Sequence, residues 1–140
     1  MTEKRVRIAV VGIDLFEALS GIVGGIGLVI GFMNIPVSVL AGTPFKDFMI
    51  PALLLGVLVG GSALVAAVIT AFSHRYYGAM ASAIAGCITV GYLTVEIAMI
   101  GLNAWPQVVW LLVGLVMIGL AALLWQAEHH PAPVGRAQAV

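Results

Sequence analysis

Apolar positions along the chain fall into four long runs, separated by short polar breaks. The runs cover about residues 8–32, 49–72, 78–102 and 106–125. A helix needs about 20 apolar residues to cross the hydrocarbon core of a bilayer, and each run supplies them. Strands of a membrane barrel would alternate apolar and polar positions, and no run does so. The pattern predicts an all-α membrane protein, a four-transmembrane-helix bundle occupying residues 1–128. A proline-rich polar tail follows over 129–140 and is expected to be disordered and cytoplasmic.

The breaks carry their own chemistry. Residues 33–48 form a long first connection holding Pro36, Pro44 and the pair Lys46–Asp47. Proline and the residue before it resist the helical conformation, so Asn34-Ile35-Pro36 should end the first helix. A tight polar turn is predicted at 73–77, and a third break at 103–107, where Pro106 is placed to open the last helix.

Basic residues orient the bundle. With four spans, Lys4, Arg5, Arg7, Arg75 and Arg136 share one side, and only Lys46 lies on the other. The positive-inside rule therefore places both termini in the cytoplasm.

Composition removes other classes. The chain is 62% apolar and 9% charged, with mean hydropathy +1.16, against about 45–50% and 25% in soluble domains. Its formal charge is zero, so no field attracts nucleic acid. Cys87 is the single cysteine, which excludes an intrachain disulfide and a Cys-x-x-Cys redox pair, and with them the thiol oxidoreductases coupled to quinones. It is expected to pack as a small apolar residue beside Gly86. The first apolar run is too long for a signal-peptide core and lacks an Ala-x-Ala site, so no cleaved leader is expected.

Small residues recur every four positions in the first two runs, as Gly21-x3-Gly25, Gly27-x3-Gly31 and Ala52-x3-Gly56-x3-Gly60. Such spacing lets lipid-embedded helices approach closely, and it predicts tight packing of the first helix on the second. The run Gly21 to Gly27 looks like a nucleotide-binding glycine loop, but it lies inside a span with no preceding strand, so packing is the better reading.

Ionisable groups inside a membrane cost energy and point to function by default. Asp14 and Glu17 lie one helical turn apart on the first helix and form a candidate proton or cation site, or a charge cluster paired with Arg7, His74 and Arg75. Glu96 lies in the outer part of the third helix. Ser82, Gly86, Thr89, Tyr92, Glu96 and Asn103 fall on one face of that helix, a polar stripe that should face the bundle interior or a wet cavity. Two states are open to Glu96: a protonated acid, with Tyr92 one turn away as a donor, or a carboxylate paired with Lys46. Glu96, Tyr92, Asn103, Thr89, Lys46 and Trp105 make up the candidate ligand-binding set. No haem, metal-ligand set or nucleophile elbow is legible, so no cofactor and no catalytic residue are expected.

The segment Pro44-Phe-Lys-Asp-Phe-Met-Ile-Pro51, the following Leu-rich stretch to Ser62 and the later Val95–Glu96 resemble a family of small bacterial four-helix integral membrane proteins of uncharacterised activity. The resemblance spans roughly residues 42–114. It implies a bacterial inner-membrane location and singles out the outer loop and Glu96. A glutamate in the first of four helices is also similar to the small multidrug-resistance transporters, which, unlike this chain, have a short first turn.

Together these features predict a non-enzymatic binding or accessory module. Its partners would be the lipid bilayer and a lipophilic ligand or partner helix, with the chain acting as a homo-oligomer or as part of a larger membrane complex. The alternative is a proton-coupled small-molecule or cation transporter, working as a homodimer through Glu17 or Glu96.

Overall fold

The computed structural model describes residues 2–73 and 76–130. His74, Arg75 and the tail from residue 131, with Arg136, lie outside the described residues. Four helices account for most of the rest: α1 (Glu3–Val29), α2 (Met49–Phe72), α3 (Tyr77–Ile100) and α4 (Trp105–His129). A short 3-10 turn, Val37–Leu40, lies between α1 and α2.

Backbone conformation sets the helix ends. α1 stops at Val29, short of the expected Phe32, because Gly31 (φ 71°) and Asn34 (φ 48°) adopt left-handed conformations before Pro36. Gly101 (φ 80°) ends α3 at Ile100 in the same way. Pro106 opens α4, and that helix continues past Trp125 to His129, into the segment expected to be tail.

Three of the four helices, not all four, are by themselves long and apolar enough to cross a membrane: Met49–Phe72, Tyr77–Ile100 and Trp105–His129. The exception is α1. Its first turns hold Glu3, Lys4, Arg5 and Arg7, and Asp14 and Glu17 interrupt its apolar stretch.

Tight packing joins α1 to α2. A Cβ built on Gly21 would lie 2.9 Å from Gly60 Cα, and one on Gly25 would lie 2.7 Å from the Ala52 carbonyl oxygen. Residues Leu54–Gly60 of α2 are wound as a π-helix. Ala52, Gly56 and Gly60 all meet α1 along this stretch. Gly27 meets only the Met33 side chain, and Gly31 lies beyond the helix with open space around it. On α3, Gly86 packs on α4, where its Cβ would come within 2.9 Å of the Gly114 carbonyl oxygen. Cys87, the next residue, is exposed on the outer surface instead of packing inside. Ala18, Ala63, Ala66, Ala85 and Met117 form a buried apolar cluster between the helices.

Candidate functional site

The two acids of α1 point inward. Asp14 and Glu17 are both 0% exposed, although the rest of α1 offers Leu19, Val23 and Ile26 to the outside. Their partners come from the polar stripe of α3. Ser82 Oγ donates to Asp14 Oδ1 at 2.7 Å, and Thr89 Oγ1 donates to Glu17 Oε1 at 3.2 Å. The other oxygens, Asp14 Oδ2 and Glu17 Oε2, are buried without a hydrogen-bond partner among the described residues.

Arg7, offered by the sequence as a partner for these acids, is committed elsewhere. Its Nη1 donates to the carbonyl oxygens of Thr70 and Ser73, each at 2.9 Å, where α2 ends. Its Nη2 reaches Glu128 Oε1 at 2.6 Å and Glu3 Oε1 at 3.3 Å. Arg7 thus joins α1 to the C-terminal ends of α2 and α4, where a cation also meets the negative end of the helix dipole.

At the opposite ends of the helices, Gln107 organises the α3–α4 turn. Its Nε2 donates to Glu96 Oε1 at 2.9 Å and to the Gly101 carbonyl oxygen at 3.3 Å. Its Oε1 accepts from the backbone N–H groups of Asn103 at 2.9 Å and Ala104 at 3.2 Å. The Tyr92 hydroxyl, beside Glu96, donates over a long 3.4 Å to the Pro51 carbonyl oxygen, at the α-to-π transition of α2.

Between these two polar levels lies a cavity of about 410 Å³. Glu17, Ser20 and Thr89 line one part of it, and Tyr92, Glu96, Asn103 and Gln107 line another. Leu28, Leu55, Val59, Leu93 and Ile100 are among its apolar walls, and Trp110 stands at its side, stacked on Phe16 with ring centroids 6.3 Å apart. Apolar walls with a few convergent polar groups are the usual make-up of a small-molecule site. Met33, Ile35 and Val39 of the first connection complete the lining.

The structure sorts the sequence candidates. Glu96, Tyr92, Thr89 and Asn103 share this cavity with Glu17, which the sequence had placed in a separate site. Asp14 does not line it. Lys46 is exposed and forms no ion pair with Glu96, and Trp105 is 74% exposed, away from the lining. Trp110 and Gln107 take the places that those two residues would have had. A signal for Gln107 was present: glutamine at the third position of a helix reaches back to the preceding backbone N–H. For Trp110 there was none, since any aromatic in an apolar run reads equally well as lipid-facing. Among known proteins, no family model, no curated protein and no solved structure matches the chain.

Proposed function

We propose that the protein is a membrane-embedded binding module with one site for a lipophilic ligand, formed by the cavity among the four helices. All four helices cross the bilayer in this reading. α1 qualifies as a span because its two acids are hidden against α3 while Leu19, Val23 and Ile26 meet the lipid. The excess of basic residues near the N-terminus puts that end, and the Arg7–Glu128 pair, on the cytoplasmic side of a bacterial inner membrane. The cavity then opens into the outer half, with Glu96 and Gln107 near its rim.

The observation carrying this reading is the cavity itself, about 410 Å³, with apolar walls and polar groups at two levels. A test uses the full chain in phosphatidylcholine nanodiscs with Trp105→Phe and Trp125→Phe, so that Trp110 is the sole indole. Decan-1-ol should change the Trp110 emission saturably, and Ser20→Phe, which intrudes into the cavity, should weaken that binding at least tenfold. A response that rises linearly with bilayer loading in both variants refutes the proposal.

A second reading, a proton-coupled carrier, draws on one observation: Glu96, Glu17 and Asp14 lie at successive levels along α1 and α3, and one oxygen on each of the inner two has no hydrogen-bond partner among the described residues. Glu96→Gln and Glu17→Gln keep size and hydrogen bonding but cannot exchange a proton. Flux driven by a pH gradient in vesicles, abolished by either substitution, would favour the carrier over the binding module.

A further inference from the structure

We infer, building on the binding reading above, that the site takes a lipophilic ammonium whose N–H donates to Glu17. Glu17 is fully buried, lines the cavity, and is poorly satisfied by its own protein. Its Oε1 receives a single hydroxyl hydrogen from Thr89, at 3.2 Å, and the same hydroxyl lies equally close to the Ala85 carbonyl oxygen. Its Oε2 has no donor among the described residues. Buried carboxylate oxygens are almost always hydrogen-bonded, and this exception lines a cavity that has room for a bound donor.

Among the described residues, no basic group is that partner. Arg7 is tied to Thr70, Ser73, Glu3 and Glu128, and Lys46 stays in the exposed first connection. Among the described residues, the cavity lining contains two carboxyl groups, Glu17 and Glu96, and no lysine, arginine or histidine. A metal ion fits poorly: among the described residues no three His, Cys, Asp or Glu side chains converge, and the walls are hydrocarbon. An organic cation with an apolar body satisfies both the acid and the walls. Length follows from the helix. Thr89, the partner of Glu17, and Glu96 are seven residues apart on α3, about 10 Å along its axis. A ligand can thus place its ammonium at Glu17 and run its chain toward the Glu96–Gln107 level.

The experiment compares decylamine, decan-1-ol and decyltrimethylammonium on the same Trp110-only protein in phosphatidylcholine nanodiscs, with empty nanodiscs subtracted. Decylamine should bind at least tenfold more tightly than decan-1-ol. Decyltrimethylammonium, which has no N–H to donate, should fall below decylamine. Glu17→Gln should bring the amine's affinity down to that of the alcohol, whereas Asp14→Asn, buried but outside the cavity, should leave the ranking of the three probes as it is in the parent protein. Equal affinity for amine and alcohol, or an amine preference that survives Glu17→Gln, overturns this inference and leaves the binding module standing. Saturable binding of none of the three probes overturns both. If Glu17→Gln does not fold, the three-probe ranking on the parent protein decides the matter alone.

Discussion

Gln107 and Glu96 are joined by a hydrogen bond of 2.9 Å between the glutamine amide and one carboxyl oxygen, while the glutamine carbonyl holds the backbone N–H groups that begin α4. One side chain therefore fixes the α3–α4 turn and aims the acid at the cavity. Gln107→Leu should cost about 1–3 kcal/mol, the usual penalty for leaving buried polar groups without partners. Gln107→Glu keeps the acceptor for the backbone but sets two carboxyl groups together. Adding Glu96→Gln to it restores a donor and should recover most of the loss. Unfolding in detergent, followed by circular dichroism, reads all three variants. Equal stability of Gln107→Glu with and without the second change would show that the pair is not coupled.

The α1–α2 contact makes a graded prediction. A methyl group at Gly21, Gly25 or Gly60 would meet backbone atoms at 2.7–2.9 Å, whereas one at Gly56 finds nothing nearer than 3.8 Å. Alanine at the first three should cost about 1–3 kcal/mol through overpacking, and Gly56→Ala should cost far less. Leucine at Gly60 should destabilise more than Leu54→Ala, because Leu54 faces outward. Thermal melting in detergent orders these variants, and an equal effect of alanine at Gly56 and Gly60 would contradict the observed register.

Arg7 offers a third test. Its partner Glu128 has a side chain only 6% exposed, so Arg7→Met strands an acid and two carbonyl oxygens at once. Breaking such a pair from one side costs about 3–5 kcal/mol. Glu128→Gln combined with Arg7→Met should recover part of that loss, because the remaining group is neutral. A double-mutant cycle gives the coupling, and additive effects would mean that the Arg7 interaction with the α2 carbonyls dominates.

Orientation can be measured directly. In a Cys87→Ser background, a cysteine at position 4 should react with a membrane-impermeant maleimide only from the cytoplasmic side, and one at position 46 only from outside. Labelling of position 46 from the cytoplasm would reverse the proposed topology.

What the sequence determined by itself is everything that depends on local pattern. Runs of apolar residues required helices in an apolar medium, Pro106 marked a helix start, and the four-residue spacing of Gly21, Gly25, Gly56 and Gly60 foretold where two backbones meet. The polar stripe on α3 was legible for the same reason, since its 3.6-residue period is a property of one helix. The tertiary structure decided which groups from different helices face one another. Three helices meet the span criterion alone, and the fourth hides its acids against Ser82 and Thr89, a pairing across 68 and 72 residues of chain that no local pattern encodes. Placing Glu17 and Glu96 along one cavity, and leaving Lys46 outside it, depended on how α1 and α3 cross. That crossing is set by glycine contacts with α2 and α4, and the position of any one polar residue follows from it only in three dimensions.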